Sequence, residues 1–266
     1  MADEVVTTVI REKILKMIKN EKRLDNRNFN EYRNIEINPG IITSADGSAH
    51  VSIGNTSVIA GIKIETGEPF PDTPNAGVMT TNVELIPMAS PVFESGPPSP
   101  EAVEIARVVD RGIRESKMIN MEKLSIVKGE KVWIIYIDLH VIDYDGNLFD
   151  TCFIASVVAL STAKFPYKKF NLEESANPSV PVEHFPIEST YVKIGNSIMV
   201  DPSLEEETIA DARLTIAIDE NSDIRAMQKG FSGVFKEDEI YKIIANNREI
   251  NRSIREIIKG KVEVFR

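Results

Sequence analysis

The chain has 266 residues, with 41 acidic and 31 basic side chains and a formal net charge of −10. This length allows one large domain or two small ones, with a core that needs no disulfide or metal. The single cysteine excludes an intramolecular disulfide framework and a multi-cysteine zinc site, and the acidic N-terminus is unlike a secretory signal. Since no apolar run approaches the ~20 residues of a membrane span, we expect a cytoplasmic protein that makes no membrane contact.

Hydrophobic periodicity and turn residues predict an α+β protein. Apolar residues at three-to-four spacing predict an amphipathic helix over residues 4–20, whereas residues 21–34 are polar and turn-rich. Ser99-Pro100-Glu101 begins the clearest helix, which we expect to end near residue 118, because serine caps, proline suits the first helical position and glutamate suits the positive end of the dipole. The other predicted elements are strands at 49–65 (a pair), 78–88, 131–143 (long and central), 182–187, 190–194, 197–200 and 212–218, a buried helix at 151–163 and a last helix at 236–259.

A polar stretch with two prolines, residues 165–181, indicates a boundary between two halves. The order of strands, helix, strand and helix occurs once before this stretch and, more weakly, once after it. We therefore predict an N-terminal helix at 1–20, a first α+β half at 21–165 and a second half at 166–266.

The helix after Ser99 carries three arginines on one face. Arg107, Arg111 and Arg114 fall within ~60° of each other at ~100° per residue. Guanidinium groups spaced in this way suit a phosphodiester chain, because arginine donates in a fork that matches phosphate oxygens. The competing interpretation is a solvated face on which Glu104, Asp110 and Glu115 pair with the arginines along the helix.

A second basic face weakens any argument from spacing alone. It comprises Arg248, Arg252, Arg255 and Lys259 on the last helix. Such faces are usually only solvated, and we expect the same of this one.

The negative charge is concentrated in residues 171–225, which contain twelve acidic and three basic side chains. Five acids lie within eleven residues, namely Asp201, Glu205, Glu206, Glu207 and Asp211. Such a cluster is compatible with Mg²⁺ and phosphate chemistry, or with a flexible, solvated acidic loop. The three histidines have no nucleophile or metal-ligand spacing, and we expect no bound metal and no cofactor.

Several of these residues belong to segments whose joint order resembles the RNase PH family of phosphate-dependent exoribonucleases. The resemblance extends over roughly residues 20–260, and the order is specific although each segment alone is not. The segments are Arg23-Leu24-Asp25-Asn26-Arg27 with Arg33, residues 54–60, residues 106–111, residues 133–139 with 143–147, and Val200-Asp201-Pro202 followed by residues 205–211. The resemblance implies an RNase PH-like fold (similar to domain 2 of ribosomal protein S5), with two mixed-sheet α+β halves and packed helices.

Departures from the family pattern indicate a member without catalytic activity. Active members hold phosphate in a loop of small residues and arginine just after the aspartate–glycine turn, where this chain has Asn147-Leu148-Phe149-Asp150. No arginine occurs between Arg114 and Arg213. Asp211 matches an acidic catalytic position of the family, but its companion is Glu205, where active members have aspartate. We interpret Glu205 and Asp211 as a remnant acidic site.

Within the family, the chain is most similar to the non-catalytic subunits of the archaeal exosome ring. This implies a hexameric ring of three heterodimers with a catalytic RNase PH-like paralogue, RNA-binding cap subunits, and 3′-to-5′ degradation of single-stranded RNA by the paralogue. Arg107 and Arg111 match positions that guide RNA in such subunits, and Arg114 extends the set by helical geometry.

Two alternatives remain open at this stage. In the first, the chain is itself an active phosphorolytic exoribonuclease that uses Glu205 and Asp211 with Mg²⁺. In the second, it is an unrelated small-molecule α+β enzyme that uses the acid cluster. The first requires phosphate binding without the usual loop, and the second requires a deep apolar pocket and a monomeric protein.

Overall fold

Two β-sheets with helices packed on them form the described part of the computed structural model, residues 11–173 and 177–265. Residues 4–10 of the predicted N-terminal helix lie outside this part. The elements in chain order are α1 (11–18), β1 (Ile35–Pro39), β2 (Gly47–Ile53), β3 (Thr56–Gly67), β4 (Val78–Leu85), α2 (Pro100–Glu115), β5 (Ser125–Val127), β6 (Lys131–Asp143), α3 (Leu148–Thr162), β7 (Ile187–Ile194), β8 (Ser197–Val200), α4 (Leu204–Thr208), β9 (Ala212–Ile218), β10 (Ile224–Gly230) and α5 (Glu237–Phe265), with short 3₁₀ helices at Met121–Leu124 and Tyr167–Phe170.

The first sheet is mixed and the second is antiparallel. The first has the order β1-β2-β3-β6-β4, with β5 paired to the start of β6, and the second has the order β10-β9-β7-β8. Strand β6 runs antiparallel to β3 and parallel to β4. A parallel pair needs a crossover connection, and α2 lies in the crossover from β4 to β6. This topology places α2 beside the β4 edge of the first sheet.

Helix α3 lies between the two sheets, where it contacts β2 and β3 of the first sheet and β7 of the second. All of its residues are buried, as its continuous apolar sequence predicts. Its close approach to β2 depends on Gly47, since a Cβ there would lie 2.6 Å from the carbonyl oxygen of Ala159.

Strand β7 is buried along its whole length because helices cover both of its faces. On one face Thr190 donates to Asp150 of α3, and on the other Ser189 donates to Asn251 of α5. The two helices therefore enclose the second sheet, and α3 belongs to the core of both halves.

The predicted α+β class with two sheets is confirmed, and most elements lie where the sequence places them. Several assignments are wrong: β7 is one strand where we predict two at 182–187 and 190–194, and the sequence does not predict β1, β5, β10 or the short helix α4. Helix α5 also extends six residues beyond its predicted end. The strands of the two sheets lie within 35–143 and 187–230, and the predicted boundary at residue 165 remains a prediction. In the described parts of the chain, no helix is both long and apolar enough to cross a membrane.

Candidate functional site

Helix α2 has one buried face and one exposed arginine face. The hydroxyl of Ser99 accepts a hydrogen bond from the backbone N–H of Ala102 at 3.2 Å, so the predicted cap is confirmed. The buried residues of α2 are Ala102, Ile105, Val108, Val109, Gly112 and Ile113. Their packing leaves Arg107, Arg111 and Arg114 on the solvent side, where all three are exposed.

The three arginines of this face differ in what they bind. Arg114 forms a two-point ion pair with Asp110, with Nε to Oδ2 at 3.1 Å and Nη2 to Oδ1 at 3.0 Å, and it also donates to the carbonyl of Met79. Arg107 and Arg111 form no hydrogen bond or ion pair with any described residue. Two guanidinium groups are therefore available for an external anion, and the third is partly occupied.

A groove runs beside this face, between α2 and the edge strand β4. Its volume is about 780 Å³, and it is open to solvent. Its polar lining includes Thr80, Thr81, Asn82 and Asp138 from the sheet and Arg107, Arg111 and Arg114 from the helix. The lining also includes the acids Glu84, Asp110 and Glu115, so the cleft combines the three arginines with carboxylates and neutral hydrogen-bonding side chains.

Residues 147–150, where the resemblance predicts a lost phosphate loop, lie at the N-terminus of α3 and bind other groups of the protein. Asn147 adopts a left-handed backbone conformation (φ 58°) and donates from Nδ2 to Asp150 at 2.8 Å and to Asp201 at 2.7 Å. The Asp150 carboxylate is fully buried and also accepts from Tyr32 Oη at 2.6 Å and from Thr190. The buried Asp150 carboxylate thus has hydrogen-bond donors from Tyr32, Asn147 and Thr190.

The environment of Asp150 makes the stability of the protein depend on pH. Burial raises the pKa of Asp150 to about 6, against the opposing effect of its hydrogen bonds from Tyr32, Asn147 and Thr190. The folded chain therefore binds this proton more tightly than the unfolded chain does, and the carboxyl increasingly opposes folding as the pH rises from about 4 to above 6.

We expect Asp150→Asn to remove this dependence while keeping a group of the same shape. The free energy of unfolding of the unmodified chain should fall by about 1 to 2 kcal/mol, relative to the variant, between pH 5 and pH 8. Urea unfolding of both proteins at several pH values measures this difference. Parallel curves would show that Asp150 does not titrate in this range.

Glu205 and Asp211, which we predict to be a remnant acidic site, lie in different local arrangements. Glu205 is exposed and accepts from the hydroxyl of Ser203 at 3.0 Å. Asp211 accepts from the backbone N–H of Gly195 at 2.7 Å and from Arg11 at 3.1 Å, and these interactions lower its pKa. Among residues 11–173 and 177–265, no group of three or more His, Cys, Asp or Glu side chains is arranged to hold a metal.

The interpretation of the acidic cluster as a solvated loop is wrong for two of its members. Glu206 forms an ion pair with Arg23 in which both side chains are at most 2% exposed. Asp201 is buried and binds both Arg27 and Arg33 at 2.8 Å. Burial raises the pKa of Asp201, but these arginines bring it below its ordinary value. The segment from Arg23 to Arg33, one of those that carry the resemblance, thus forms ion pairs with Asp201 and Glu206 of the same chain.

The second basic face, on α5, is not uniformly solvated, and our expectation is wrong for one residue. Arg255 is buried and donates to the carbonyl oxygens of Phe185 at 2.7 Å and Ile218 at 3.2 Å. Only Arg248, Arg252 and Lys259 of this set are exposed, and the ammonium group of Lys259 lies over the Phe185 ring. Tertiary contacts therefore distinguish the basic face of α5 from that of α2, although the spacing of the basic residues along the two helices does not.

The comparisons with known proteins identify the family. Residues 31–166 match domain 1 of the 3′ exoribonuclease family, and residues 184–248 match domain 2. The chain belongs to the RNase PH family of 3′ exoribonucleases. The hypothesis of an unrelated small-molecule enzyme is therefore wrong.

Relatives within the RNase PH family match along nearly the whole chain. Exosome complex component Rrp42 of Pyrococcus horikoshii is 51% identical over 263 residues, which cover 96% of this chain and 96% of that protein. A solved chain of the Archaeoglobus fulgidus exosome with RNA bound to the active site has a TM-score of 0.92 and 42% identity, and the match covers 95% of this chain and 98% of that one. A chain of an archaeal exosome core has a TM-score of 0.89 and 38% identity, with 97% and 100% covered.

Proposed function

We propose that this chain is a non-catalytic subunit of a hexameric exosome ring, in which it supports the active site of a catalytic RNase PH-like paralogue and guides RNA toward it. The similarity to exosome components over nearly the full length supports the assignment to such a ring. The proposed assembly is a trimer of heterodimers with the paralogue.

The buried Asp150 is the observation that carries the non-catalytic role. Phosphorolysis requires inorganic phosphate in line with the scissile bond, and positioning supplies much of the rate. In this chain a carboxylate with its own donors lies in the corresponding place. Glu205 and Asp211 are then remnants, since no phosphate cradle lies with them.

The RNA-guiding role is supported by the free arginines of α2. Arg107 and Arg111 are exposed without a described partner, beside a polar groove of about 780 Å³. A local cationic surface attracts a phosphodiester chain even on a protein of net negative charge. Arg114 belongs to the same proposed surface, with one edge of its guanidinium group held by Asp110.

The remaining parts of the proposal follow from this role. The partners are the catalytic paralogue, single-stranded RNA and RNA-binding cap subunits, and the expected location is the cytoplasm. The proposed organisation is an N-terminal helix at residues 1–20, a first RNase PH-like half at 21–165 and a second half at 166–266.

We expect the purified chain alone to release no nucleoside diphosphates from single-stranded RNA in the presence of inorganic phosphate and Mg²⁺. Thin-layer chromatography of labelled RNA measures the product, and addition of the catalytic paralogue should restore release. Release by the chain alone that Asp211→Ala abolishes would instead establish an active enzyme and contradict the assignment of residues 147–150.

A further inference from the structure

Glu104 is the carboxylate best placed in sequence to neutralise Arg107, because residues three apart are neighbours on a helix surface. In the structure it does not do so. Its Oε1 accepts from Nη2 of Arg213 on β9 at 2.6 Å and from Nε2 of Gln228 on β10 at 3.3 Å. The carboxylate is thus turned toward the second sheet, away from the exposed arginines of its own helix.

Arg213 is held firmly in this position. Its side chain is only 9% exposed, and its guanidinium carbon lies 4.1 Å from the centroid of the Phe149 ring and 5.1 Å from that of Phe231. Gly230 permits this placement, because a Cβ there would lie 2.8 Å from Nη2. Arg213, the partner of Glu104, is therefore held in place by the rings of Phe149 and Phe231 and by the space that Gly230 leaves.

The surroundings of Arg213 are strongly acidic. Burial raises the pKa of Glu101, Glu188 and Glu207 above their ordinary values, and the charge of Arg213 offsets part of this increase. Without this cation, Glu104 would keep Gln228 as its partner on the second sheet and would lie close to Glu101, whose pKa the Glu104 charge raises. The Glu104 carboxylate would then be released to pair with Arg107, three residues further along the same helix.

We propose that Arg213 is a positioning residue that keeps Arg107 available for RNA by holding Glu104 away from it. This inference rests on the proposed RNA-guiding function of α2. Arg213 itself does not touch RNA in this scheme. It decides whether the helix surface presents a free guanidinium or a neutralised glutamate–arginine pair.

The test is a set of rings assembled with the catalytic paralogue and titrated with single-stranded RNA at fixed salt. Arg213→Met keeps an unbranched side chain between the two rings but releases Glu104, and we expect it to lower RNA affinity about two- to threefold for each copy that contacts the RNA. Glu104→Gln alone should change affinity by less than twofold, since the carboxylate is already sequestered. The double variant should recover the affinity of Glu104→Gln.

A matched control is Arg252→Met, which removes one positive charge from an exposed position on α5. Loss of affinity in Arg213→Met without recovery in the double variant would overturn the inference. A large gain in RNA affinity in Glu104→Gln would also overturn the inference, because it would mean that Glu104 already forms an ion pair with Arg107 in the unmodified protein. If Arg107→Ala with Arg111→Ala leaves RNA affinity unchanged, the proposed function itself fails. If that double variant lowers RNA affinity but Arg213→Met does not, only this inference is rejected.

A second variant avoids the buried arginine in case Arg213→Met does not fold. Val103 is 40% exposed and lies four residues before Arg107, the favoured spacing for a glutamate that pairs with arginine. Val103→Glu supplies a carboxylate that Arg213 does not hold, and we expect it to lower RNA affinity about two- to threefold relative to Val103→Gln. Equal affinities of these two variants would contradict the proposed mechanism.

Discussion

Replacing Arg107 and Arg111 together by alanine is expected to lower the affinity of the assembled ring for single-stranded RNA about tenfold or more. Neither side chain forms a hydrogen bond or ion pair with a described residue, so truncation removes proposed phosphate donors without breaking such a bond. A charge-assisted hydrogen bond is worth about 1.5–3 kcal/mol, and about 1.4 kcal/mol corresponds to a factor of ten. Titration at several salt concentrations should also show a slope of log affinity against log salt that is smaller by about 0.7 for each lost contact.

The matched control for this experiment is Arg248→Ala with Arg252→Ala on α5. These arginines are also exposed, and their replacement removes the same charge from the protein. The control should leave RNA affinity nearly unchanged. An equal loss in both double variants would assign the effect to overall charge, and unchanged affinity in the first would reject α2 as the RNA-contacting surface.

Replacing Arg23 by methionine is expected to lower the free energy of unfolding by about 3–5 kcal/mol, the range for breaking one side of a buried ion pair. Arg23 donates to both carboxylate oxygens of Glu206, at 2.9 and 2.5 Å, and to the carbonyls of Val200 and Asp201. The variant leaves a buried carboxylate and two buried carbonyls without this donor. Urea unfolding followed by circular dichroism measures the loss.

Arg11→Met provides the comparison for a solvated pair. Arg11 and Asp211 are 44% and 37% exposed, and such pairs contribute up to about 1 kcal/mol. Adding Glu206→Leu to Arg23→Met should recover part of the lost stability, because it removes the uncompensated charge. A loss below about 1 kcal/mol in Arg23→Met would mean that water or a local rearrangement satisfies Glu206.

Local sequence signals were sufficient where an element's own residues determine its structure. Strand β6 occupies the predicted residues 131–143, and α2 begins at the predicted cap Ser99. Helix α3 was recognised as buried because it is apolar on every side. In each case the evidence lies in neighbouring residues, through periodicity, capping or uniform hydrophobicity.

The errors at β7 and in the acidic cluster arise where polar residues are buried. Glu188, Ser189 and Thr190 divide the apolar pattern of β7, so that one strand was predicted as two. Ser189 and Thr190 find partners on α5 and α3, which the local pattern does not reveal. In the 201–211 cluster, the interpretation as a solvated loop likewise fails for Asp201 and Glu206, which are buried with arginines from the start of the chain.

The sequence by itself determined the main helices and strands and the resemblance to the RNase PH family, because periodicity, caps and the order of the matching segments are read directly along the chain. Only the tertiary structure decided which charged groups are free. Glu104 binds Arg213, 109 residues away, and not Arg107 on its own helix, and Glu206 is neutralised by Arg23, 183 residues away. Spacing along a helix predicts which side chains can meet, but the competing partners come from distant segments that only folding brings together.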